Sequence, residues 1–170
     1  MTPNQLKIFY NKYKKTLYNT SIRITGDSFD AEEIVQDVII KYLRYNNMSM
    51  EPHQVEAWLR KCCIRESIDM LRRKRALIAA IEKFQEDGSC EEECNEGWEE
   101  YLSNGNAEEK ITAIREKLEE LPVGYRTILS LILFEGYDYS ETAEILKISE
   151  STARTQYMRG KQKLLQIINN

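Results

Sequence analysis

Apolar residues recur every three or four positions along most of this chain, and that spacing is the period of an amphipathic α-helix. No segment alternates apolar and polar residues as the strands of a half-exposed sheet do. The 170 residues include only seven glycines and three prolines, which disfavours a β fold with many tight turns. We therefore predict an all-α protein.

Breaks in this period separate the first helices. The first helix, with an apolar face from Leu6 to Leu17, ends at the breaker Gly26-Asp27-Ser28. Asp30 is predicted to cap the second helix, and Pro52 suits the start of the third. The apolar face of the second helix leaves four residues largely on its outer side: Gln36, Asp37, Ile40 and Lys41.

The third helix changes its apolar face midway, from Val55 and Leu59 to Ile68 and Leu71, so we expect it to bend or to touch partners on both sides. It runs into four consecutive cations, Arg72-Arg73-Lys74-Arg75. A solvated helix end is one interpretation of such a run. Its position beside a helix with buried aromatic residues favours contact with a polyanion.

Charge is distributed unevenly, although the net charge of the whole chain is only -4. Residues 1–84 carry a net +5, residues 85–110 a net −9 and residues 147–170 a net +4. Glu86–Glu100 is acidic and lacks a helical apolar repeat, which is typical of a linker, although Trp98 is unusual for a simple tether. We predict one helical domain over 1–84, an acidic linker over 85–107 and a second helical domain over 108–170.

Residues 138–165 have the spacing of a helix-turn-helix unit. Asp138 and Glu141 are spaced as a capping box, Lys147-Ile148-Ser149 forms the turn, and Ser149 caps the last helix. The predicted buried face of that helix is Ala153, Tyr157, Gly160, Leu164 and Ile167 or Ile168. Its opposite side carries Ser151, Arg154, Thr155, Met158 and Gln162, with Arg159 at the edge. Since the second helix of such a unit reads base edges in the major groove and arginine suits guanine, this pattern predicts DNA binding; an ordinary helical hairpin is the alternative.

Composition disfavours several other classes of protein. The longest apolar stretch, Ile128 to Phe134, is much shorter than the roughly 20 residues that span a bilayer, and the N-terminus lacks the apolar region of a signal peptide. We therefore expect a cytoplasmic protein whose four cysteines are free thiols. Cys90 and Cys94 supply at most half a metal site, and the single histidine, His53, is distant in sequence. Without a catalytic residue set or a phosphate-binding glycine loop, we predict no enzymatic activity, no metal and no cofactor.

Three segments of the chain resemble the extracytoplasmic-function (ECF) sigma factors of bacterial RNA polymerase. Asp30–Leu43 resembles region 2.2 of the family, and Val55–Arg75 resembles regions 2.3 and 2.4, including the pairs Trp58-Leu59 and Ile68-Asp69. Leu121–Leu164 resembles region 4. The three matches occur in the order and at the spacing of the family.

This resemblance implies a sigma factor that binds core RNA polymerase through its β′ and β subunits, directs it to promoter DNA and helps to melt the −10 element. An anti-sigma factor is a further partner that it suggests. By analogy, core polymerase would contact Gln36, Asp37, Ile40 and Lys41. The −10 element would contact Asn46 and Asn47 in the loop Tyr45–Gln54, together with Arg65, Arg72, Arg73, Lys74 and Arg75. The −35 element would contact Ser151, Thr152, Arg154, Thr155, Met158 and Arg159.

The chain also departs from the family pattern. Arg65 occupies a position where the family usually has asparagine, three residues before Ile68. The recognition helix opens with Ser151-Thr152-Ala153 in place of Gly-Thr-Val, and Thr155-Gln156 replaces Ser-Arg. The promoter sequence read by relatives therefore does not carry over to this chain.

Two other functions compete with that of a sigma factor. A helix-turn-helix regulator that binds an operator as a dimer would leave the match to region 2 unexplained, and complex formation with core polymerase discriminates it from a sigma factor. A helical module that binds no DNA is disfavoured by the two basic parts of the chain.

Overall fold

The computed structural model describes residues 1–45, 50–86 and 96–170, and within these ranges it is helical with no β-strand. The all-α prediction is confirmed. The α-helices of these ranges are α1 (Pro3–Thr25), α2 (Ser28–Arg44), α3 (Pro52–Arg73), α4 (Ala76–Glu86), α5 (Glu96–Ser103), α6 (Ala107–Lys117), α7 (Val123–Leu129), α8 (Tyr139–Leu146) and α9 (Glu150–Ile168). A π-helical turn, Ser130–Phe134, continues α7. The chain divides into two compact units, Met1–Lys74 and Arg75–Asn170.

The first unit packs α1, α2 and α3 against one another around an apolar core. Leu17 and Leu59 at its centre are almost completely buried. The rings of Phe9 and Tyr42 stack with centroids 4.9 Å apart, and Trp58 meets Tyr42 edge-on at 5.7 Å. Because these aromatic residues come from all three helices, their contacts fix α1, α2 and α3 relative to one another.

Helix α3 contacts both α1 and α2, as the change in its apolar face predicts. On the α1 side, the hydroxyls of Ser67 and Ser21 lie 3.0 Å apart, and the Cys63 thiol donates a hydrogen bond to the Leu17 carbonyl at 3.3 Å. Ile68 is 1% exposed. Since these polar groups are paired, their hydrogen bonds offset the desolvation cost of burying them.

The junction between α1 and α2 corrects the predicted cap. Gly26 ends α1 with a φ of 69°, a conformation that glycine adopts without steric cost. Asp27 caps α2, because its carboxylate accepts a hydrogen bond from the Asp30 amide at 2.9 Å. The prediction that Asp30 is the cap is therefore wrong: Asp30 lies in the first turn, is buried, and forms an ion pair with Lys74.

In the second unit, α9 is the central helix, and α4, α5, α6, α7 and α8 each contact it. The predicted buried residues Ala153, Tyr157, Gly160 and Leu164 are buried, whereas Ile167 and Ile168 are only partly covered. Gly160 allows the close approach of α7, since a Cβ at this position would lie 3.3 Å from Cγ of Leu129.

The acidic segment contains a packed helix that its composition did not indicate. Trp98 of α5 is only 4% exposed, and the Nζ of Lys161 on α9 lies 5.8 Å from the centroid of its ring. A Cβ built on Gly97 would lie 3.7 Å from Leu165, in ordinary contact. The unusual tryptophan of the predicted linker therefore belongs to the core of the second unit.

Helix α4 also packs within the second unit. Leu77 is fully buried, and the rings of Phe84 and Tyr125 lie 5.7 Å apart. The boundary between the two compact units therefore lies after Lys74. The sequence instead predicts a functional boundary after residue 84. That functional boundary stays a prediction.

Two findings concern membranes and metals in the described ranges. No helix there has both the length and the apolar character needed to cross a membrane. The same ranges contain no group of three or more His, Cys, Asp or Glu residues that could hold a metal ion. Cys90 and Cys94 lie outside the described residues.

Candidate functional site

The pair α8 and α9 forms the predicted helix-turn-helix. Asp138 and Glu141 make a reciprocal capping box, with amide-to-carboxylate distances of 2.8 and 2.9 Å. Lys147 ends α8 in the left-handed conformation, with a φ of 58°. Ser149 then caps α9 by accepting a hydrogen bond from the Thr152 amide at 3.0 Å. These caps satisfy amides at the starts of both helices, so the recognition helix has a defined beginning.

The predicted −35 residues lie on α9 with different degrees of exposure. Ser151 and Arg154 are exposed, whereas Thr155, Met158 and Arg159 are partly covered. Thr152 is also partly covered and belongs to the cap, since its hydroxyl lies 2.7 Å from that of Ser149. The exposed polar surface of the first two turns is therefore centred on Arg154.

Two neighbours hold the guanidinium of Arg154. Its Nη2 donates to Oε1 of Glu150 at 3.2 Å, one helical turn earlier. Its central carbon lies 4.5 Å from the centroid of the Tyr139 ring on α8. More than half of the Arg154 side chain remains exposed, so the guanidinium keeps an accessible edge while being restrained.

The inner side of α9 contains two polar residues that the apolar period did not assign to it, Gln156 and Lys161. Lys161 lies over the rings of Tyr157 and Trp98, at 4.7 and 5.8 Å from their centroids. Burial lowers the pKa of Lys161, an effect opposed by the carboxylate of Glu99. Burial, together with Tyr139, raises the pKa of Tyr157 to about 12. Lys161 therefore lies among aromatic rings, away from the exposed side of α9.

The residues predicted to bind the −10 element have different surroundings. Arg65, Arg73 and Arg75 are exposed, whereas Arg72 is partly covered and lies 3.4 Å from Asp69. Lys74 forms an ion pair with the buried Asp30, and this hydrogen bond raises its pKa. Asn46 and Asn47 lie outside the described residues.

The predicted core-binding residues of α2 share one side of the first unit. Gln36, Asp37 and Ile40 are exposed, and Ile40 is 43% accessible despite being apolar. Lys41 instead forms an ion pair with Glu66 of α3. Ile40 lies beside the apolar residues Leu6 and Leu43, and a contiguous exposed apolar patch rimmed by polar residues is typical of a protein-binding surface.

A groove of 370 Å³ adjoins this side of α2. Gln36 and Ile40 line it together with Leu6 and Tyr10 of α1. Leu6 and Tyr10 belong to the apolar face of α1, whose spacing predicts a helix but not a groove. The sequence signal that distinguishes them is weak, because an apolar residue that lines an open groove follows the same period as one in the core.

The comparisons with known proteins agree with this geometry. Residues 9–77 match the family model for Sigma-70 region 2, and residues 111–164 match that for Sigma-70, region 4. The chain is 30% identical over 149 residues to RNA polymerase sigma factor SigV of Bacillus subtilis, covering 87% of this chain and 81% of that protein. It is 27% identical over 165 residues to ECF RNA polymerase sigma factor SigW of the same organism, covering 89% and 82%.

A solved structure has the same fold. It is the sigma factor RpoE of Bartonella quintana, determined in complex with the anti-sigma factor NepR. It aligns with a TM-score of 0.54 and 17% identity over 97% of each chain.

The two matched regions and the helix-turn-helix define a promoter-binding subunit of RNA polymerase. The chain belongs to the sigma-70 family, in its ECF subfamily. It is a sigma factor that binds core RNA polymerase and directs promoter recognition and transcription initiation. Members of this family are initiation factors and not enzymes, in agreement with the sequence-based prediction.

Proposed function

We propose that this sigma factor acts through three separate surfaces. Core polymerase binds the exposed side of α2, the core-binding face, which consists of Gln36, Asp37, Ile40 and Lys41. The −10 element contacts Asn46, Asn47, Arg65 and the basic run Arg72–Arg75. The −35 element contacts the recognition face of α9, which consists of Ser151, Thr152, Arg154, Thr155, Met158 and Arg159.

One observation carries the assignment of the recognition face: the exposed guanidinium of Arg154 near the capped start of the second helix of a helix-turn-helix. The N-terminal residues of that helix are the ones that reach base edges in the major groove. Arginine can donate two hydrogen bonds to N7 and O6 of guanine, and no other base presents two acceptors in the major groove. Arg154 is therefore assigned as the main −35 base reader.

Replacement of Arg154 tests this assignment. Arg154→Ala should lower promoter use and flatten the preference at one −35 position, because a bidentate arginine–guanine pair discriminates by about 1–3 kcal/mol. The measurement is transcription from a library randomised over the −35 element, by holoenzyme that carries the variant. Lys163→Ala is the matched control, since it removes an exposed cation further along the same helix.

The two roles of a cation give different library profiles. Loss of a phosphate contact weakens all sequences by a similar factor, whereas loss of a base contact changes their ranking. If Arg154→Ala lowers every promoter equally, Arg154 contacts phosphate, and base reading passes to Thr155, Met158 and Arg159.

The core-binding face is tested by charge reversal at Asp37. This residue is exposed, so Asp37→Arg should change stability by only about 0.5 kcal/mol or less. Affinity for core polymerase should fall about tenfold or more, because a like-charge contact across an interface costs several kcal/mol. Glu56→Arg makes the same charge change at an exposed site on α3 and should leave core binding unchanged. Normal recovery of core polymerase by the Asp37→Arg variant in a pull-down would contradict the assignment of core binding to this surface.

Two further proposals concern location and regulation. The protein acts in the cytoplasm, where promoter DNA and core polymerase meet. An anti-sigma factor inhibits it by binding one of its units, a proposal supported by the fold shared with an RpoE that was solved with such a partner. Co-purification with the tagged chain from its native cells, followed by inhibition of transcription with the recovered protein, tests the second proposal.

A further inference from the structure

Tyr139 lies outside the recognition face but contacts its principal residue. The ring of Tyr139 is 4.5 Å from the guanidinium of Arg154. A guanidinium over an aromatic ring is attracted by cation–π interaction, and the two planar groups can stack. The first residue of α8 thus restrains a side chain of α9.

The position of Tyr139 is itself defined by its surroundings. It follows the capping residue Asp138, and its ring meets that of Tyr157 edge-on at 5.6 Å with an interplanar angle of 69°. Tyr157 is 8% exposed and belongs to the buried side of α9. The aromatic pair therefore connects the restrained guanidinium to the core of the second unit.

The ion pair with Glu150 cannot supply this restraint alone. Both partners are more than half exposed, and exposed pairs one helical turn apart contribute little and are screened by salt. The ring of Tyr139 approaches the guanidinium from a different helix. Two restraints of different origin reduce the rotamer freedom that Arg154 would lose on binding DNA.

We infer that Tyr139 is a positioning residue for −35 recognition, whose ring orients the Arg154 guanidinium toward a base edge. This inference rests on the proposed base-reading role of Arg154. It assigns part of the specificity of the recognition helix to α8.

The experiment uses holoenzyme and a promoter enriched by wild-type holoenzyme from a library randomised over the −35 and −10 elements. Each −35 position of that promoter is then changed to the other three bases, and relative affinity is measured by competition. Arg154→Ala identifies the position that Arg154 reads. Tyr139→Leu should reduce discrimination at that same position by about two- to fivefold, the range expected for an exposed cation–π contact.

Three further variants isolate the cation–π contact. Tyr139→Phe keeps the ring and should retain the preference. Tyr139→Leu in the Arg154→Ala background should cause no further loss of preference. Tyr101→Leu is the control for loss of a partly buried tyrosine elsewhere in the second unit, and it should not change base preference.

Replacement of Tyr139 by pentafluorophenylalanine covers the case in which Tyr139→Leu does not fold. This side chain keeps the shape of the ring but reverses its quadrupole, so it should repel the guanidinium and weaken the same preference. Suppose that Arg154→Ala flattens the preference at its −35 position. If the pentafluorophenylalanine variant or a folded Tyr139→Leu then retains that preference, the inference is overturned and the proposed function stays intact. Unchanged preferences in Arg154→Ala overturn both the inference and the base-reading role of Arg154.

Discussion

The four cations of the basic run Arg72–Arg75 have different surroundings. Lys74 is committed to the buried carboxylate of Asp30, while Arg73 beside it is exposed. Loss of Lys74 would leave a buried carboxylate without its partner, which is costly. Lys74 is therefore important for the stability of the first unit.

The buried phenol of Tyr157 predicts a pH dependence of stability. In the folded state it keeps its proton up to pH of about 12, whereas an unfolded tyrosine releases its proton near pH of about 10. Between these values the unfolded state binds fewer protons, so the free energy of unfolding should fall as pH rises. Below pH of about 10 the buried phenol makes its full contribution to the free energy of unfolding.

The comparison of wild type with Tyr157→Phe isolates this effect from other titrating groups. Urea unfolding is followed by the fluorescence of Trp98 in a Trp58→Phe background, which reports on the second unit. The difference in free energy of unfolding between wild type and Tyr157→Phe should be constant up to pH of about 9. Above that pH the wild type should lose stability relative to the variant. A difference that stays constant through pH 11 would show that the phenol ionises normally.

At the scale of elements, the contact between α4 and α7 depends on a residue without a side chain. A Cβ at Gly124 would lie 2.5 Å from Cζ of Phe84 and 3.0 Å from Cβ of Ala80. Gly124→Ala should therefore destabilise the second unit by about 1–3 kcal/mol, the usual cost of overpacking. The measurement is chemical unfolding of the full chain in the Trp58→Phe background, followed by Trp98 fluorescence.

Gly97→Ala is the matched control, because alanine there makes only ordinary contact with Leu165. Alanine is favoured over glycine inside a helix by about 0.5–1 kcal/mol, so Gly97→Ala should be neutral or stabilising. Equal effects of the two substitutions would mean that α4 does not pack tightly on α7.

At the scale of the whole molecule, the two boundaries predict different folding units. A fragment of residues 75–170 contains α4, whereas one of residues 85–170 lacks the buried Leu77 and Phe84. Each such side chain contributes about 1.5–3 kcal/mol when buried. The shorter fragment should therefore melt at a clearly lower temperature by circular dichroism. Equal melting temperatures would show that α4 is dispensable for the second unit.

Much of this architecture follows from local patterns. The helical period indicated the all-α class, Pro52 marked the start of α3, and Asp138, Glu141 and Ser149 marked the starts of α8 and α9. Such features are visible in the sequence because capping and amphipathic spacing involve residues only a few positions apart. The helix-turn-helix, and with it the class of protein, could be predicted for that reason.

Other features depend on residues that are distant in sequence. Period and charge gave no sign that Trp98 packs beside Lys161, that Asp30 is buried against Lys74, or that Tyr139 lies under Arg154. Whether a charged or aromatic residue faces solvent or a partner is decided by the helix that packs against it, so only the tertiary structure defines these pairs. The sequence alone determined the helical class and the amphipathic helices whose caps and apolar spacing are local, whereas α5 became evident only from its packing. Packing decided which exposed residues are held in place, because burial and long-range contacts exist only once the helices have assembled.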